Sequence, residues 1–293
     1  MLNTLKHITR HPLNRNGRKA ALSRYLRWQF ASRLLPVPHV MPFVNDTFLI
    51  TESGMTGATG NWYSGLHEEV EMAFLLHFLR PGDLFADIGS NIGAYTVLAS
   101  GAVGANSVSF EPVPETFIKL QRNVTANRIE ALATCHNLGL GESNETLLFT
   151  ADQDTTNHVA TAGEIKSGSV LEVDVCRLDD ILNGDVPSLI KIDVEGWEAK
   201  VLAGMPFTLA NPCLKAIITE SNQSANRYKF DAGDSVFDLM TQHGFKVYSY
   251  DIFGRRLIEG VGSTPNTIFL RDIEFAHDRV SRAGEFRLVT GTI

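Results

Sequence analysis

The sequence predicts an α/β protein: a mostly parallel sheet with helices on both faces, three layers in all, behind an N-terminal helical extension. Three observations carry this. Short apolar runs alternate with amphipathic ones from residue 83 to residue 244, the pattern of βαβ units joined by right-handed crossovers. The last two apolar runs, FKVYSYD and NTIFLRD, have no helix between them, so the sheet is expected to end in an antiparallel edge hairpin. Residues 1–45 follow neither pattern and form a basic arm, which divides the chain into a helical extension, 1–45, and a main α/β domain, 46–293.

Each element has its own signal. Between Arg18 and Leu35, the residues Leu22, Tyr25, Leu26, Phe30 and Leu34 recur at spacings of three and four, which reads as an amphipathic helix. Pro36, Pro38 and Pro42 then break the chain. DLFADIG is a strand and IGAYTVLASGAV a helix; SVSFEP is a strand and PETFIKLQRNVTANR a helix. ATCHNLGLG is a third strand and ETLLFTA an extra one, followed by a polar stretch from Asp152 to Ser169 without period. VLEVDVC, SLIKIDVEG and LKAIITES are further strands, WEAKVLAGM and VFDLMTQHG helices. Residues 45–80, 150–172 and 222–236 are expected to be loops or caps that choose the substrate.

Composition bounds the function. At 44% hydrophobic and 20% charged residues, the chain is an ordinary globular one. Cys135, Cys176 and Cys213 form neither a CxxC pair nor an even set, so reduced, buried thiols are expected. The basic, broken N-terminus does not resemble a signal peptide, and no apolar run is long enough to span a bilayer; the expected location is the cytoplasm. Net charge is −7, unevenly spread. Residues 1–45 hold eight basic residues and no acid, leaving 18 basic against 33 acidic residues in the remainder, a balance of −15. The helix of this arm is suited to docking on the body or on a second subunit in a homodimer, because its apolar face is too small to hold a membrane by itself. Peripheral contact with an anionic membrane is the alternative.

In a parallel sheet of this kind the ligand sits outside the carboxyl ends of the strands, where strand order reverses. The first strand ends in Asp87, Gly89, Ser90, Asn91 and Gly93. A dinucleotide fingerprint is G-x-G-x-x-G with amides facing a pyrophosphate. Here the pattern is D-x-G-x-x-x-G: the middle glycine is missing, and Asp87 would repel a phosphate. S-adenosylmethionine, with its ammonium and sulfonium, suits the turn better. Glu111, at the second strand end, is placed to take the hydroxyls of an adenosine ribose, and Asn137, at the third, to touch the adenine.

Asp193, Glu195 and Glu198 crowd the fourth strand end, and Glu220, Ser221 and Asn222 the fifth. Asp193, Glu220 and Asn222 make an all-oxygen set suited to Mg²⁺. Without a metal, Asp193 or Glu195 could take the proton of a substrate hydroxyl, and His158, in a polar loop expected to hang over the strand ends, is a further catalytic candidate. Glu198 could equally start the following helix, where the macrodipole favours an acid. Trp62, Tyr63 and Trp197 are aromatic candidates for stacking on a sugar.

These stretches resemble one family. GDLFADIGSNIGAYT, FEPVPETFIKLQRNV, LDDIL, LIKIDVEGWEAKVLAG and the ITES strand end, across roughly residues 63–222, look like the FkbM family of S-adenosylmethionine-dependent methyltransferases. The resemblance implies a class I (Rossmann-like) methyltransferase fold of seven strands, the last one antiparallel, and methyl transfer to oxygen. The acceptors it implies are sugars in polysaccharides, glycolipids or secondary metabolites. Asp87, Gly89, Asn91 and Gly93 match the family's cofactor loop, Glu111 its ribose acid, and Asp193 with Glu195 its KID-EG segment. Two other readings stand beside it: an NAD-dependent oxidoreductase, which the missing glycine and Asp87 oppose, and a non-catalytic cofactor-binding protein, which the intact Asp87, Glu111 and Asp193 oppose. Nucleic acid is not an expected partner, given the acidic body and the lack of an NPPY-like tetrapeptide after Asp193's strand.

Overall fold

The computed structural model describes residues 2–150, 158–160, 165, 170–220, 235–260 and 265–293. Helices α1 (Leu2–Arg10) and α2 (Arg18–Leu34) come first; α2 stops two residues before Pro36, which cannot continue a helix. Strands β1 (His39–Pro42) and β2 (Phe48–Thr51) pair antiparallel. Helices α3 (Thr56–Ser64) and α4 (Glu69–Phe78) follow. Sequence reading assigned this region to loops or caps. Its run MAFLLHFL has no polar face because α4 is buried on all sides, down to Glu71 and His77.

The βαβ units then run through β3 (Leu84–Ile88), α5 (Ala94–Thr96) with π-helical turns over Val97–Val103, β4 (Asn106–Phe110), α6 (Pro114–Ala126) and β5 (Ala133–His136). The expected helix 92–103 is therefore one α-turn that widens. Its small residues let it lie close to β4, where Ser100 and Ser107 share a hydroxyl bond of 2.8 Å. A side sheet follows, built of β6 (Gly139–Leu140), β7 (Glu145–Thr150) and β8 (Val170–Cys176), in the order β6-β8-β7. The main sheet resumes with β9 (Leu189–Ile192) and β10 (Ala216–Glu220), then β11 (Lys246–Asp251), β12 (Arg256–Glu259) and β13 (Asn266–Leu270).

The main sheet reads β12-β11-β13-β10-β9-β3-β4-β5. Strands β10, β9, β3, β4 and β5 are parallel, and β13 runs antiparallel between β10 and β11. With the eighth strand β12 set aside, this is the seven-stranded class I methyltransferase sheet, three layers thick. The expected edge hairpin is corrected in one respect. FKVYSYD and NTIFLRD do pair antiparallel, but the tight hairpin joins β11 to β12, because Asp251 accepts the Gly254 amide (3.1 Å) and turns the chain back at once. β13 then enters the sheet one place further in.

Alternating side chains fill the two outer layers. Phe85, Leu189, Ala216 and Ile218 face a core containing Phe74, Phe78 and Val124, while Ala86, Ile88, Ile190 and Ile217 face one containing Leu178, Leu202 and Met240. Of the cysteines, Cys135 and Cys176 are half-buried, but Cys213 is exposed, against expectation.

The N-terminal arm docks on the body. Tyr25, Trp28 and Ala21 of α2 are buried with Ile8 and Tyr63, the two tyrosine rings meeting edge-on at 5.4 Å. Arg24 adds bonds to the Tyr63 carbonyl (2.9 Å) and the Asn14 side chain (3.2 Å). Only part of the expected face is buried: Tyr25 is, but Leu26, Phe30 and Leu34 point outward. No described helix is long and apolar enough to cross a membrane.

Candidate active site

Strand order reverses between β3 and β9, and the site is built there. The turn after β3 is held through its own amides, each of which has an acceptor within the protein. The Gly89 and Ser90 amides donate to the Phe110 carbonyl (3.0 and 2.9 Å), Asn91 to the Glu111 carboxylate (2.9 Å), Ile92 to the Asn91 side chain (2.7 Å) and Gly93 to the Ser90 carbonyl (2.8 Å). Gly89 is required by contact as well as by its φ of +75°: a Cβ there would lie 1.9 Å from the Asp193 carbonyl oxygen. That close approach joins the turn to the end of β9.

Asp87 is buried and accepts the Thr96 hydroxyl at 2.7 Å. Burial pushes its carboxyl up to about 6, against the pull of Thr96 and Lys191. Glu111 accepts amides on both oxygens, from Asn91 and from Val113 (3.0 Å). Burial raises it to about 7 despite those bonds. Each oxygen keeps a further lone pair for a ligand hydroxyl. Asn137 differs from expectation: its side-chain amide donates to the carbonyls of Glu111 (2.8 Å) and Pro112 (3.0 Å), so it braces the turn that carries Glu111. Its neighbours Leu138, Gly139 and Leu140 line the cavity instead.

Two cavities meet at this point. The first, about 610 Å³ with its mouth, is walled by Ile88, Phe110, Glu111, Leu140, Phe149 and Trp197. The second, about 980 Å³ with its mouth, is walled by Asn61, His67, Glu68, Asp87, Tyr95 and Lys191. Gly89, Asn91, Asp193 and Glu195 belong to both walls. The two carboxylates that sequence reading nominated for catalysis thus stand where two ligands would touch.

Asp193 is fixed by Lys191, Nζ to Oδ2 2.9 Å. Lys191 is 1% exposed in an otherwise apolar strand and lies 5.2 Å from the Tyr95 ring centre. Burial alone would lower its affinity for the proton, but the Asp193 and Glu68 carboxylates outweigh it and hold the ammonium charged. Glu195 sits in the left-handed region, φ +55°, on the turn ending at Gly196. Glu198 is a buried cap, accepting the Gly196 (3.0 Å) and Val194 (3.3 Å) amides, and burial raises it to about 7. The helix-start reading is the right one for Glu198.

Other candidates fall away from the site. His158 was expected on an open loop, but it is 2% exposed beside the bridge that pairs Val159 with Phe149, and Val159 is the residue that reaches the first cavity. Trp62 and Tyr63 pack under the N-terminal arm rather than at a mouth, whereas Trp197 does line the first cavity. For Mg²⁺, Asn222 lies outside the described residues. Among the described residues no group of three or more histidines, cysteines or acids is placed to hold a metal, and Asp193 has an ammonium for a partner.

Sequence reading missed Lys191, Tyr95 and Glu68. A lysine inside the apolar strand LIKI was a usable signal, since buried charge is rare without a partner. Glu68 gives no signal of its own: residues 45–80 are expected to choose the substrate, but as loops or caps in which no single residue stands out.

The methyltransferase FkbM domain model matches residues 87–247. Methyltransferase 1 of Beauveria bassiana is 31% identical over 150 residues, 43% of this chain and 59% of that protein. Hexuronic acid methyltransferase AglP of Haloferax volcanii is 30% identical over 145 residues, 48% of this chain and 58% of that one. The chain thus spans a little under three fifths of these relatives. The 31-O-demethyl-FK506 methyltransferase FkbM of Streptomyces tacrolimicus is 28% identical over 200 residues, 58% of this chain and 75% of that one. Among solved structures, methyltransferase FkbM of Methylobacillus flagellatus has a TM-score of 0.44 at 17% identity, over 66% of this chain and 44% of that one.

Proposed function

The chain belongs to the methyltransferase FkbM family, and we propose that it transfers a methyl group from S-adenosylmethionine to a hydroxyl of a sugar in a glycan, glycolipid or glycosylated metabolite. One observation carries the reading: Asp87, Glu111, Asp193, Glu195 and Glu68 surround the two cavities with a single buried ammonium, Lys191, among the described lining residues. Such a field attracts a cationic cofactor and repels a phosphorylated one. The amides of residues 89–93 already have acceptors within the protein, which leaves no nest for a pyrophosphate and argues against NAD.

The residues fit the cofactor part by part. Glu111 would receive the ribose hydroxyls, the apolar walls of the first cavity the adenine, and Asp87 would face the cationic end. When bound, S-adenosylmethionine supplies an electrophilic methyl group on a sulfonium. Asp193 and Glu195, on the shared wall, would accept the proton that an attacking hydroxyl must lose, with Lys191 orienting Asp193. The sugar reading rests on the hexuronic acid methyltransferase relative, and on the volume of the second cavity, about 980 Å³ with its mouth.

Calorimetric titration with S-adenosylhomocysteine and, separately, NADH tests this first. Micromolar affinity for the former and none for the latter is expected; affinity for NADH alone overturns the reading. Methyl release onto a panel of glycans, with Asp193→Asn and Glu195→Gln as controls, then tests the acceptor. The variants should keep cofactor affinity and lose turnover about a hundredfold or more.

A further inference from the structure

We infer that the outward face of α2 is a docking surface for an anionic lipid bilayer. The helix has two faces of different kinds. Ala21, Tyr25 and Trp28 face the body and are buried. Leu26, Phe30 and Leu34 face away, at 54%, 68% and 76% exposure, and Leu35, Val37 and Val40 extend the patch beyond the helix end. Single exposed apolar residues are ordinary, but six of them within residues 26–40, three on one side of the helix, mark a contact surface. At 100° per residue Lys19, Arg27 and Arg33 fall on the same side as Leu26, Phe30 and Leu34, and all three are exposed.

The charge of this region selects the occupant. Residues 1–45 hold eight basic residues and no acid. A second copy meeting this face two-fold would set one basic arm against another. A nucleic acid would match the charge but leave Leu26, Phe30 and Leu34 in water. An anionic interface takes both: apolar side chains enter the acyl boundary while lysine and arginine meet headgroups. The small size of the apolar face is offset by preorganisation. α2 is already folded and fastened by Trp28, Tyr25 and Arg24, so no helix has to form on the membrane. α2 packs on α3, whose Thr56, Gly57, Ala58 and Asn61 line the second cavity. The bilayer would therefore lie one helix layer from the proposed acceptor cavity, within reach of a lipid-borne sugar.

Sedimentation of the full chain with vesicles tests this, using phosphatidylcholine alone and phosphatidylcholine mixed with phosphatidylglycerol. Partition should favour the anionic vesicles about tenfold and weaken with salt. Leu26→Ser, Phe30→Ser and Leu34→Ser combined should reduce it about tenfold, and Arg27→Gln with Arg33→Gln should remove the preference for anionic lipid. Both variants should bind S-adenosylhomocysteine as the parent does, which separates loss of docking from loss of fold. Failure to sediment with either vesicle overturns the proposal, as does equal partition of parent and triple variant. It is also overturned by a dimer in analytical ultracentrifugation that the triple variant abolishes, or by salt-sensitive nucleic-acid binding that survives the triple variant.

Discussion

Glu111 is the residue on which cofactor affinity should turn. Its carboxyl is raised from an ordinary 4.5 to about 7 by burial, and ribose hydroxyls donate best to the ionised form. Affinity for S-adenosylhomocysteine should therefore rise with pH up to about 7 and level off above it. Glu111→Gln should flatten that profile and weaken binding at least tenfold, about 1.4 kcal/mol, in calorimetry across pH 5.5–8.5. Without ligand the sign reverses. A carboxyl favoured in its protonated form stabilises the fold below about 4.5, and that contribution declines as pH rises to about 7. The urea midpoint of the cofactor-free parent should fall across this window, and less so in Glu111→Gln. Lys191 is a second test. Removing one member of a buried pair costs about 3–5 kcal/mol, so Lys191→Met should lower the thermal midpoint markedly, whereas Asp193→Asn, at a half-exposed site, should lower it less. Asp87 and Glu111 could be read from sequence because strand-end acids announce themselves by position. His158 could not, since nothing in TTNHVATAG tells an open loop from a strand bridge.

At the level of elements, the β3 turn and the end of β9 behave as one unit because Gly89 lets them touch. Gly89→Ala would drive a methyl group into the Asp193 carbonyl, so loss of cofactor binding and of several kcal/mol is expected. Gly82 is the matched control: its φ is +88°, but open space surrounds it. Gly82→Ala should cost only about 1 kcal/mol and leave binding intact, as paired denaturation and calorimetry would show. The alternating strands and helices were legible throughout the parallel half, where each connection is a crossover. The insertion of β13 between β10 and β11 was not, because antiparallel partners are chosen by sheet geometry that no local pattern encodes. α4 was missed for the opposite reason: a helix buried on every side has no period to detect.

For the whole molecule, the arm and the body form one packed object. Trp28 is 5% exposed beneath the arm, and Trp28→Ala should cost about 3 kcal/mol locally. Limited proteolysis between Leu35 and Val40 should then accelerate at least tenfold, with cofactor affinity retained because α2 contributes nothing to either cavity wall. The sequence showed that the arm was basic and helical. It did not show which side faced the body, since Trp28 competes with Leu26 and Phe30 for burial beside Tyr25, and the aromatic pocket around Tyr63 decides the contest.

The turn whose amides are all engaged within the protein has a kinetic consequence. A loop that must order itself around its ligand slows capture and loses entropy on closing; this one has nothing left to arrange. The amide protons of residues 89–93 should exchange slowly in the empty protein and scarcely more slowly in the loaded one. Association should then run at a rate set by diffusion into the cavity rather than by loop closure.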